Sequence, residues 1–140
     1  MNIDASDTLT ARVALLAASD PRGMFDGAWW PRSRDFATEV PPLLRALREH
    51  GQYTRATVDL ALWPGTPRPF ALPGLGRIFR WGGFTTGADP HRVMLYCLGG
   101  TKELLVIPPE ASPTAAARLM TAACSPHETR SATQLLHDTI

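Results

Sequence analysis

Lysine is almost missing from this chain: Lys102 stands alone among 140 residues, against thirteen arginines. Charged residues of all kinds make up only 19 %, and the formal net charge is +1. There is no basic stripe of the kind a duplex binder needs and no acidic solvating tail, so nucleic acid is an unfavoured partner. The two cysteines, Cys97 and Cys124, are too few for a disulfide scaffold. They read as two reduced thiols of a cytoplasmic protein. No apolar run approaches the roughly 18 residues that span a bilayer, and Met1-Asn2-Ile3-Asp4 lacks the basic start of a signal peptide. The expectation is a soluble cytoplasmic protein without a membrane partner.

Several chemistries are also missing. The histidines His50, His91, His127 and His137 show no ligand spacing with one another or with the cysteines, so no metal is implied. Gly74-Leu75-Gly76 and Gly82-Gly83 are followed by no Lys-Ser/Thr and open no helix, which excludes a phosphate-binding loop. No serine sits in a Gly-x-Ser-x-Gly setting. No cofactor is therefore expected.

What is present is a chain that fits one domain and buries roughly two-thirds of its unfolded surface. Hydrophobic residues reach 44 %, and the thirteen prolines predict short elements with firm turns. Residues 1–9 read as a flexible leader, 10–124 as a single α+β domain and 125–140 as a C-terminal capping segment with a short helix. A strand is expected within residues 10–17 and a loop through the double tryptophan. A helix should follow Asp35, with a first turn ending near Val40 and Pro41 reopening it at a first helical position. Ala56 to Trp63 alternates as a strand. Shorter strands are expected at 68–72, 77–81, 93–98 and 103–107. Leu104-Leu105-Val106-Ile107 is apolar on both faces, as a covered central strand requires. Ser112 before Pro113, and Ser131 with Gln134, look like caps of two C-terminal helices. The sum is an α+β fold: an antiparallel meander of about five to six strands, one helix after the first strand and one or two helices at the C-terminus.

Two segments carry candidate chemistry. In Asp26-Gly27-Ala28-Trp29-Trp30-Pro31-Arg32-Ser33-Arg34-Asp35, Pro31 forces Trp30 into an extended conformation. Alternation then sends Trp29 inward and sets Trp30, Arg32 and Arg34 on one face. Such a face can stack on a planar ligand and hold its phosphate or carboxylate, with Asp26 at its border. Equally, both indoles can pack while Asp26 and Asp35 neutralise the arginines. The second segment joins Gly82-Gly83-Phe84 to Asp89-Pro90-His91. Glycines admit close approach of a ligand, and Asp89 can orient His91 for acid–base work. The alternative is ordinary Asp-Pro turn chemistry. Asp59, with Arg55 four residues away on the same face, reads as a solvated or locally paired carboxylate in preference to a catalytic one.

Taken in order, the double-tryptophan segment, Leu62-Trp63, Pro67-Arg68, Gly82-Gly83-Phe84, Asp89-Pro90-His91 and Leu104-Leu105-Val106-Ile107-Pro108-Pro109 resemble a family of small actinobacterial proteins of unknown function. The resemblance spans roughly residues 10 to 137 and implies a soluble single-domain protein of GC-rich bacteria; it brings no activity or cofactor. The leading expectation is a non-enzymatic binding or protein-interaction module using Trp30, Arg32, Arg34 and Asp26. Its partner would be a protein, a small planar anion or a second copy of the chain. The alternatives are a small-molecule enzyme using His91 and Asp89 with an arginine anchor, and a single-stranded nucleic-acid binder.

Overall fold

A computed structural model describes residues 10–17, 19–73 and 76–140. The expected leader at 1–9 lies outside the described residues. Seven strands form one mixed sheet: β1 Val13–Leu15, β2 Gly27–Trp29, β3 Arg55–Val58, β4 Phe70–Leu72, β5 Arg77–Gly83, β6 Arg92–Cys97 and β7 Gly100–Val106. Their spatial order is β1-β2-β7-β6-β3-β5-β4. The helices are α1 Phe36–Ala46, α2 Pro113–Ala123 and α3 Ala132–Thr139.

The class is α+β as expected, but the sheet is not an antiparallel meander of five to six strands. β2 runs parallel to β7, and β3 parallel to β5. The double-tryptophan segment, expected to be a loop, supplies β2 from Gly27-Ala28-Trp29. Two strands therefore precede the first helix. The long strand expected over Ala56 to Trp63 stops at Val58, because the Asp59 carboxylate accepts from Ala61 N–H (2.9 Å) and opens a single 3-10 turn at Leu60–Leu62. β5 runs past the expected end at Trp81 and includes Gly82 and Gly83. α1 runs without a break through Pro41 and Pro42. Prolines cannot donate to the preceding turn, so the helix rests on packing: Phe36, Val40, Leu43, Leu44 and Leu47 are all buried against the sheet.

Two apolar clusters sit back to back. The larger lies between α1 and one sheet face, built from Trp29, Phe36, Trp63, Phe79, Leu95, Leu104 and Val106 among others. The smaller lies under α2 and α3 on the opposite face and contains Phe25, Ala28, Leu105, Ile107, Leu119 and Leu135. Alternation explains the split. Leu104 and Val106 point one way and Leu105 and Ile107 the other, which makes β7 the central strand covered on both sides. Ser112 Oγ accepts from Ala115 N–H at 3.1 Å, so α2 is capped as the sequence signals. Ser131 Oγ likewise accepts from Gln134 N–H at 3.2 Å, but the Gln134 amide turns to Asp138 at 2.8 Å rather than closing a reciprocal capping box.

The second face of the other half-sheet carries no helix among the described residues. α2 and α3 pack over β1, β2 and β7. On β6, β3 and β5 that face presents Met94 and Tyr96, Arg55 and Thr57, and Ile78, Arg80 and Gly82. None of these is buried, and Ile78 is 55 % exposed.

Candidate functional site

Trp29 at the end of β2 and Trp30 just after it diverge, as alternation requires. Trp29 is 1 % exposed and stacks on Trp63 at 5.3 Å with 10° between the planes; Phe36 meets it edge-on at 6.4 Å. Trp30 faces the opposite way, half-buried against the smaller cluster, with its indole N–H donating to Pro108 O at 3.1 Å. Its ring is covered by Arg12, whose guanidinium lies 3.7 Å from the ring centroid. Arg12 also donates to the carbonyls of Trp30 and Pro31, both at 2.9 Å. Burial, and then the charge of Arg32, lower the Arg12 pKa from its ordinary value, with Glu39 opposing.

The arginines of the segment are tied into the same framework. Arg32 donates to Thr10 O at 2.6 Å, and its backbone N–H reaches Glu39 Oε1 at 3.0 Å. Ser33 fills the other Glu39 oxygen at 2.8 Å, so one α1 side chain clips the whole loop. Arg34 pairs with Glu110 at 2.8 Å in a largely exposed bridge. Asp26 does not reach either arginine; it accepts from Glu103 N–H at 2.7 Å and lies 3.9 Å from Arg22. Asp35 accepts from the hydroxyls of Thr38 (2.8 Å) and Thr66 (3.3 Å). Arg12 and Glu39, which organise this region, carry no motif; only the folded proximity of β1, β2 and α1 reveals them.

The second segment comes apart in the fold. Gly82 and Gly83 belong to β5, whereas Asp89 anchors α3. Its carboxylate accepts from Thr133 N–H (3.0 Å), the Thr133 hydroxyl (2.9 Å) and His91 backbone N–H (3.1 Å). Burial alone would raise the Asp89 pKa; these hydrogen bonds and the charge of His91 outweigh it and lower the pKa. No hydrogen bond joins the Asp89 carboxylate to the His91 imidazole among the described residues.

The open half-face holds two exposed arginines without an ion pair. Strand register places Tyr96 opposite Arg55 and Arg55 opposite Arg80, a row across β6, β3 and β5. Both arginines are exposed, and no carboxylate among the described residues lies within ion-pairing distance of either. Asp59, expected to be solvated or paired locally, caps the 3-10 turn and makes no ion pair with Arg55 among the described residues. The contrast lies two strands away, where Arg22 and Arg92 both clamp Glu103, Arg92 at 3.0 Å. Like charges directly opposed across strands are unfavourable. The row divides two concavities. One of about 650 Å³ is lined by Ile78, Tyr96, Cys97 and Leu98 besides the two arginines. The other, of about 360 Å³, adds Arg68, Thr57 and Gly82. Cys97 and Cys124 are both free thiols, and burial raises the Cys124 pKa. No cluster of metal-ligating side chains occurs among the described residues. No helix there is long and apolar enough to cross a membrane.

A family model described as a family of unknown function, DUF5994, matches residues 12–123. The chain belongs to this family. The DUF5994 match runs from just before β1 to the end of α2, taking in the double-tryptophan strand, the arginine row and both clusters' strands, and it leaves α3 outside. No curated protein and no solved structure matches the chain.

Proposed function

We propose that this DUF5994 chain is a non-enzymatic binding domain for a small anionic ligand, received on the open face of the β6-β3-β5 half-sheet. The observation that carries this reading is the Arg55–Arg80 pair: two exposed arginines set opposite each other by strand register, bordering concave space, with no carboxylate among the described residues to neutralise either. A domain with few charges and a near-zero balance gains nothing structural from that opposition. A bound anion removes it and gains charge-assisted hydrogen bonds. The concavities fall within the usual size range of small-molecule sites, about 300–1,000 Å³.

In this reading the double-tryptophan segment supports the site from a distance. Trp30, Arg32, Arg34 and Asp26 spend their hydrogen bonds and ion pairs within the domain. A thermal melt in rising phosphate tests the proposal. The melting temperature should climb with phosphate at constant ionic strength, and Arg55→Ala plus Arg80→Ala should abolish the rise while Arg32→Ala plus Arg34→Ala leaves it. Equal phosphate response in both double variants would overturn the assignment.

A further inference from the structure

The two concavities differ in chemistry, and the arginine row is their common wall. On one side, Ile78, Leu98 and Tyr96 offer apolar surface; Leu98 stands fully exposed at the hairpin tip. On the other side, Arg68 borders the concavity with its guanidinium 6.0 Å over the Trp81 ring, and the floor is Thr57 beside Gly82, which register places opposite each other. Gly82 is a glycine without a backbone reason. Its φ lies outside the left-handed region, and a Cβ built there meets nothing within 4 Å. Any β-branched residue would suit a strand better. Glycine there keeps the floor low in a concavity that Arg55, Arg80 and Arg68 line, and a bare floor in a strand is a place where a ligand comes close to the backbone. The hydroxyls of Thr57 and Tyr96 meet at 3.2 Å at the edge of the row.

We infer that the ligand is a soluble phosphate monoester with an apolar body. Its dianionic head sits over Gly82 among Arg55, Arg80 and Arg68, and its body crosses the row onto Ile78 and Leu98. A dianion matches the two unneutralised charges of the row, whereas a carboxylate answers only one. This inference rests on the anion-binding reading above and goes further in naming head, body and seat.

Isothermal titration with inorganic phosphate, phenyl phosphate and benzoate tests it. Phenyl phosphate should bind about tenfold tighter than phosphate, the gain expected from burying part of a ring, and benzoate should bind more weakly than phenyl phosphate. Ile78→Ser should erase the advantage of the ring and leave phosphate affinity unchanged. Gly82→Val should lose both phosphates while keeping or raising the melting temperature, an outcome that a structural glycine would not give. Phenyl phosphate no tighter than phosphate, or benzoate its equal, would overturn this inference and leave the arginine-dependent anion site standing. Phosphate binding indifferent to Arg55→Ala plus Arg80→Ala would overturn both. Co-sedimentation with phosphatidic acid vesicles would overturn the soluble ligand in favour of a lipid headgroup.

Discussion

Trp29 and Trp30 are neighbours in sequence and belong to different halves of the molecule. Trp29 is the largest fully buried side chain, wedged between Trp63 and Phe36. Trp29→Ala should cost about 3–5 kcal/mol, the usual range for emptying an aromatic site in a core. Trp30 is half-buried, and truncating it forfeits one indole hydrogen bond and the Arg12 stack; Trp30→Ala should cost about 2 kcal/mol. Urea unfolding of the two variants checks the order, and equal losses would contradict it. Arg80 makes the opposite case. Its removal relieves a like-charge opposition, so Arg80→Ala should raise stability by about 0.3–0.5 kcal/mol at low salt, a gain that fades as salt screens the pair. A loss of stability at low salt would mean that Arg80 holds an attractive contact. That the two tryptophans take opposite faces was legible from side-chain alternation; that Trp30 packs on the smaller cluster beneath Arg12, instead of standing open with Arg32 and Arg34, was not. The arginine row was not. Arg55 and Arg80 lie in strands joined only through a parallel pairing, and no local pattern encodes which residues such a pairing sets side by side.

Elements with local signals were readable, and those formed by distant pairing were not. Ser112 and Ser131 announce α2 and α3, and the doubly apolar run announces β7. β2 has only three residues and a glycine, and it becomes a strand because β7 and β1 flank it. α1 contains a proline pair that propensity alone rejects, yet its buried face holds it. α3 depends on ionised carboxylates at its start. Asp89 binds the Thr133 N–H in its first turn, and Glu128 just before it has its pKa lowered to about 2, chiefly by hydrogen bonding from Arg130. Both groups have folded pKa values below their unfolded ones, so their contribution is complete above the ordinary carboxylate range. It is lost as pH falls through that range toward the folded values. Stability should therefore fall on acidification below about pH 4.5, and hydrogen exchange should rise first in α3. Asp89→Asn should flatten part of that pH slope. An unchanged slope would place the acid sensitivity elsewhere.

For the whole molecule, the sheet is clothed unevenly: α1 spans one face, while α2 and α3 cover less than half of the other. That asymmetry leaves room for the arginine row without any gap in the core. It also couples the two clusters, because β2 and β7 contribute to both, Trp29 and Leu104 on one side and Ala28 and Leu105 on the other. Residues packed on opposite faces of the same strands cannot loosen independently without breaking the ladder between them. Removing residues 125–140 deletes Ala132, Leu135 and Leu136 from the smaller cluster, and Leu135 is fully buried. The loss of that leucine alone is worth roughly 2–5 kcal/mol, a large share of the about 5–15 kcal/mol that holds a typical domain. The truncated chain should therefore lose the near-ultraviolet signal of the Trp29–Trp63 stack together with its helical signal, in one transition at a much lower midpoint. A truncated chain that keeps the tryptophan signal at the original midpoint would show that the two faces unfold independently, and that the central strand does not bind them into one unit.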